Sequence, residues 1–210
     1  MYMPNWCSTN YTFNFTSAEK AKDFYDLVDS WCHDVAENGF GECWLGNIVV
    51  NSGISEIVAG SEKSFLIEPH YECRGSIVFM DYGSNRVNIQ TETAWSPMHD
   101  MWKSIVERYA PDAEVIYSAD ECGCELYLTN DPCLEGKYIV DIMEDPDRVL
   151  DEFDSYIYDA DDETVKSVAV TLGVNVADRD VNAIISDINN MDREDELYIG
   201  IHAWDYYDPF

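Results

Sequence analysis

Forty-two acidic side chains against twelve basic ones give this 210-residue chain a formal charge of −30, so any fold it adopts must bury enough apolar surface to outweigh strong self-repulsion. The apolar surface is available. Hydrophobic residues make up 46 % of the chain, with six Trp and fourteen Tyr, which excludes a disordered polyelectrolyte. A compact chain of this length is roughly 40 to 45 Å across. Duplex DNA of that length carries roughly 25 charges, at one per ~1.7 Å of axis. The protein and the nucleic acid are thus comparable as polyanions.

The charge is uneven. Residues 1–138 hold 22 acids and 8 bases, whereas residues 139–210 hold 20 acids and 4 bases over about half the length. Nucleic-acid backbones and anionic membrane surfaces repel such a chain, and cationic protein grooves or metal cations attract it. No run reaches the ~18 apolar residues of a membrane span, and Met1-Tyr2-Met3-Pro4-Asn5-Trp6 has neither the basic nor the apolar region of a secretory leader, so the expected location is cytoplasmic. Seven irregularly spaced cysteines fit reduced thiols acting as small core residues better than a disulfide framework.

The fold class expected is α+β. Asn10 to Phe15 alternates as a half-buried strand does and runs into a capping box of Thr16 and Glu19. Ala21, Phe24, Tyr25, Val28, Trp31, Cys32 and Val35 then recur at helical spacing up to Asn38-Gly39. Cys43 to Val50 reads as a second strand, followed by a polar insertion near 51–72. A hairpin follows, Ser76 to Met80 and Val87 to Thr93, with Gly83 and Asn85 in its turn. Ser96 as N-cap and Pro97 at the first helical position predict a helix carrying Met101, Trp102, Ile105, Val106 and Tyr109. Ala113 to Tyr117 and Cys124 to Leu128 add two strands. The order suits an antiparallel sheet with helices on one face.

The remainder, 138–210, reads as a separate acidic module, largely helical and ending in a strand. Tyr138 to Met143 is a strand candidate. Asp145-Pro146-Asp147 predicts a helix start ahead of Val149, Leu150, Phe153, Tyr156 and Ile157. Two more helices are expected over Asp162 to Gly173 and Val181 to Asn190, before a strand over Leu197 to Trp204 that has the main sheet as a possible destination.

Two stretches, Pro4-Asn5-Trp6-Cys7-Ser8 and Thr93-Ala94-Trp95-Ser96-Pro97, resemble the phage- and plasmid-encoded YubB-like, ferredoxin-like family in their order and separation across residues 4–130. The resemblance implies a ferredoxin-like domain, here 1–137, of mobile-element origin and brings no catalytic residues. Family members often carry a Trp-Gly-Thr-Lys-Trp-type segment where this chain has Cys73-Arg74-Gly75-Ser76-Ile77-Val78. Read from the residues alone, Trp6 and Trp95 are expected in the core.

Specific chemistry is sparse. Asp159, Asp161, Asp162 and Glu163 resemble the start of a calcium loop, but Thr164 and Val170 stand where that loop needs Gly and Glu. Cys122, Cys124 and Cys133 lack the paired spacing of a zinc site, and the first two fit one side of a strand equally well. Residues 172–181 resemble a helix-turn-helix turn, which Asp178 and Asp180 make unsuited to phosphates. There is no nucleophile elbow and no phosphate loop, so neither a catalytic residue nor a cofactor is expected. The charge directs the functional expectation to a phage or mobile-element counter-defence protein in the cytoplasm of the bacterial cell. It would act as an acidic DNA mimic on the basic cleft of a host nuclease of restriction or CRISPR type, without binding nucleic acid or membrane itself. The residues expected to carry this are Asp147, Asp151, Asp154, Asp159, Asp161, Asp162 and Glu163, with Trp204, Tyr206 and Tyr207 as apolar anchors. The alternative is a non-catalytic small-molecule or protein-binding module whose acidity is only solvated surface.

Overall fold

The structure, a computed structural model, describes residues 5–35, 40–57, 66–68, 71–134, 136–144, 149–191 and 198–210. In chain order its elements are β1 (Trp6–Asn14), α1 (Ala18–His33), α2 (Leu45–Asn51), β2 (Glu56–Ile57), β3 (Leu66–Glu68), β4 (Tyr71–Glu72), β5 (Gly75–Gly83), β6 (Arg86–Ala94), α3 (His99–Tyr109), β7 (Glu114–Glu121), β8 (Leu126–Thr129), β9 (Tyr138–Glu144), β10 (Tyr156–Ala160), α4 (Asp162–Thr171), α5 (Val181–Asn189), β11 (Tyr198–Ala203) and β12 (Asp205–Tyr206). They form two compact units, Met1–Asp131 with Tyr206–Phe210, and Pro132–Asp205.

The first unit is built on β1. Its alternation buries Cys7, Thr9, Tyr11 and Phe13, and it pairs antiparallel with β6 on one side and β7 on the other. The six-stranded sheet runs β12-β8-β7-β1-β6-β5. Helices α1 and α3 cover the face that Phe13 points into. Its ring lies 5.1 Å from Phe24 of α1 and 5.5 Å from Trp102 of α3, a core in which aromatic pairs supply much of the buried area. The insertion forms its own small sheet, β2-β3-β4. At the C-terminus the chain returns to this unit: the Tyr207 amide donates to the Thr129 carbonyl, and Tyr117 Oη donates to the Tyr207 carbonyl.

The second unit is a three-stranded sheet, β10-β9-β11, with β9 antiparallel to both neighbours. Its core is almost wholly aliphatic, with Val140, Val165, Val168, Ile184, Ile188, Ile199 and Ile201 buried. Asn189, the last residue of α5, exchanges two hydrogen bonds of 2.8 and 2.9 Å with the backbone of Ile201, occupying polar groups on the edge strand β11.

Several local expectations are corrected. Cys43 to Val50 is not a strand: Leu45–Asn51 is helical, with Leu45, Ile48 and Val49 buried, because a short, wholly apolar run carries no period that separates a buried helix from a buried strand. The stretch 149–157 is not a helix; 149–155 is a turn and Tyr156 and Ile157 open β10. The C-terminal region is therefore α+β rather than largely helical, and β11 joins its own small sheet instead of the main one. The caps also move. Ser17, not Thr16, caps α1 through the Lys20 amide, while Thr16 Oγ1 donates to Asp112. α3 begins at His99 behind Met98, so Ser96 is not its cap.

Candidate functional site

The six described acids of the expected site all belong to the second unit, and Asp147 lies outside the described residues. Asp161 is the N-cap of α4. Its Oδ1 accepts from the Thr164 amide and hydroxyl, each at 2.8 Å, and these bonds, the amide first, hold its carboxyl below the usual carboxylate range. Asp162 accepts from Lys137 Nζ at 3.1 Å, which raises the lysine pKa, and Glu163 accepts from Lys166 at 3.1 Å. Asp159 lies on β10 and Asp154 in the preceding turn. Both are exposed, with no cation in ion-pairing range among the described residues. Asp151 is exposed in the same turn.

These acids bracket a helix rather than forming one knot. Asp161, Asp162 and Glu163 stand at the start of α4, and Glu152, neighbour of Asp151, accepts from Thr171 Oγ1 at its end, 3.0 Å away. Ten helical residues separate the two ends by about 15 Å. Gly136 holds the array tightly, since a Cβ there would meet the Asp159 Cα at 2.2 Å. Of the expected apolar anchors, Tyr206 and Tyr207 are exposed, and Trp204 Nε1 donates to the Tyr158 carbonyl at 3.4 Å. Cys122–Cys124 is a 3-10 turn, which removes the one-sided strand reading of its cysteines. Among the described residues no three His, Cys, Asp or Glu side chains are grouped to hold a metal ion.

A second region, in the first unit, was not anticipated as a site although both sequence motifs meet in it. Trp6 pairs with Ala94 across β1 and β6, and the Trp95 amide donates to the Asn5 carbonyl at 2.9 Å. Neither tryptophan is in the core: Trp6 is 53 % exposed and Trp95 45 %. Trp95 also has φ +66°, a left-handed backbone that costs a bulky residue ~1–2 kcal/mol and that the surrounding contacts must hold in place. Thr93 Oγ1, donating to the Ser96 carbonyl at 2.8 Å, is one such contact. The turn presents the Trp95 ring to Arg74, whose guanidinium carbon lies 5.1 Å from the ring centroid. Gly75 lets Arg74 approach, because a Cβ there would meet the Glu92 carbonyl oxygen at 2.2 Å.

Beside this pair is a cavity of about 310 Å³ whose lining includes Tyr71, Arg74, Ser96, His99, Asp100 and Tyr207. His99 opens α3. Its Nδ1 is 3.3 Å from Tyr11 Oη and its ring centroid 4.2 Å from that of Tyr117, while Nε2 has no hydrogen-bond partner. Burial lowers its pKa to about 4, so the imidazole is neutral near pH 7. Met98, the N-cap of α3, supplies no side-chain bond. The signals for this region were present as the Trp95-Ser96-Pro97 and Cys73-Arg74-Gly75 stretches. Their exposure was not readable, because a Trp beside a strand is ordinarily a core residue.

No protein-family model, curated protein or solved structure matches this chain.

Proposed function

We propose that the chain is an acidic DNA mimic, a phage or mobile-element counter-defence protein that occupies the nucleic-acid cleft of a host nuclease of restriction or CRISPR type in the cytoplasm. The observation that carries this reading is the charge density of the second unit. Its 74 residues hold twenty acids and five bases, a net −15. A compact unit of that size is about 29 Å across, and duplex DNA of that length carries about 17 charges. Acids at both ends of α4 supply carboxylates at a spacing of about 15 Å, comparable to phosphates a few nucleotides apart on one strand. Exposed carboxylates such as Asp154 and Asp159 would take the positions of phosphates before Arg and Lys of the target. We read the first unit as a ferredoxin-like carrier of the YubB-like kind. Its β1-α1-β5-β6-α3-β7 order and the strand order β7-β1-β6-β5 support that reading.

The test is affinity capture from host lysate at low and high salt, with duplex DNA as competitor. It is run in parallel on the chain with Asp151, Asp154, Asp159 and Asp161 changed to Asn and Glu163 to Gln. The expected partner is a DNA-binding nuclease that salt and DNA both displace and the quintuple variant fails to retain. A partner held equally by wild type and variant, or one resistant to salt, overturns the reading.

A further inference from the structure

Arg74 and Asp100 line the same cavity of the first unit, yet they make no ion pair with each other, and among the described residues neither charge is met by an opposite one. Arg74 shares the lack of a carboxylate partner with Arg86, Lys103 and Arg108 among the described residues. Its guanidinium is held in place, over the face of a tryptophan whose backbone is left-handed. Backbone strain of this kind concentrates where a side chain must be presented to something. We propose that this cavity binds a free α-amino acid with an apolar side chain.

The two charges define the ligand. Arg74 offers the planar, two-pronged donor that suits a carboxylate. Asp100, in the first turn of α3, offers an acceptor to an ammonium group. A ligand carrying only a negative charge would leave Asp100 unpaired and enter against the field of a −30 chain, whereas a zwitterion satisfies both groups and is neutral overall. Met98 and Met101 belong to the lining and give an apolar side chain adaptable contacts. His99 belongs to the wall and, being neutral, adds no charge to it, while its unpartnered Nε2 is buried away from solvent. A volume of about 310 Å³ falls at the small end of ligand sites, as an amino acid requires.

The inference concerns the first unit and stands apart from the decoy reading of the second. Isothermal titration calorimetry on the full chain tests it with L-leucine, L-methionine and L-phenylalanine, each compared with its N-acetyl derivative and its amide. At least one free amino acid is expected to bind, with the acetylated and amidated forms each weaker by tenfold or more, the usual scale for losing a charged hydrogen bond. Arg74→Gln and Asp100→Asn are expected to weaken binding to a similar degree while leaving the circular dichroism melt unchanged, since both side chains are exposed. Absence of heat with all three amino acids at millimolar concentration overturns the proposal. So does equal binding of the blocked forms, or binding that both variants retain in full.

Discussion

The two units carry the same net charge, −15 each, but the first spreads it over 136 residues and the second over 74. Their cores differ as well. The first interlocks Tyr11, Phe13, Phe24, Trp102 and Tyr117 beneath two helices, whereas the second relies on isoleucine and valine from three short strands and two short helices. An aromatic core buries much area per residue. Where charge density doubles and the core shrinks, stability depends on caps, ion pairs and ionic strength. The polyanionic character thus falls on the part of the chain least able to resist it.

The largest test of that contrast is Trp102→Ala. The side chain is fully buried, and its loss is expected to cost the first unit ~3–5 kcal/mol in denaturant unfolding. Amides of β11 should keep their protection against hydrogen exchange in that variant. If they lose it in step with those of β1, the two cores do not act separately. Ile201→Ala is the converse experiment, expected to cost the second unit ~2–4 kcal/mol with β1 protection unchanged.

Acid separates the units further through His99. Its folded pKa is about 4, below the ~6.5 of an unfolded histidine, so between those values the unfolded chain binds more protons. Stability is therefore intact above about pH 6.5 and falls as the pH drops toward 4, by up to ~1.4 kcal/mol per pH unit. His99→Gln should flatten that slope in urea midpoints recorded from pH 7 to 4. Asp180→Ala removes the N-cap of α5, whose carboxylate accepts from the Asn182 amide, and should lower the second unit's stability by ~1 kcal/mol. The smallest effect is that of sodium chloride, which should raise the melting midpoint of the second unit more than that of the first, since screening acts on the denser charge.

Much of this architecture was legible where local signals were redundant. The β5–β6 hairpin had an apolar run, Ile77 to Met80, and an alternating one, Val87 to Thr93, on either side of a Gly and Asn turn, and α4 and α5 each had an apolar stripe. Legibility failed where one signal stood alone. Leu45 to Val50 offered hydrophobicity without a period, and Val149 to Ile157 offered apolar spacing that Tyr156 and Ile157 satisfied as strand residues. The acids at the start of α4 resemble the start of a calcium loop in the sequence, and in the fold Asp161 is the cap of that helix. The cavity was not readable. Its walls come from residues 71–74, 94–101 and Tyr207, which only the tertiary fold brings together.

The return of the chain to the first unit has a thermodynamic consequence. Because Tyr207 is hydrogen-bonded to Thr129 while Pro132–Asp205 forms the second unit, that unit is a loop with both ends pinned. When it unfolds with the first unit intact, it becomes a closed ring of 74 residues rather than a free tail. Closing a ring of that length removes configurational entropy on the scale of a disulfide cross-link, about 4 kcal/mol. Severed after Asp205, the same segment would retain every internal contact and forfeit that restraint.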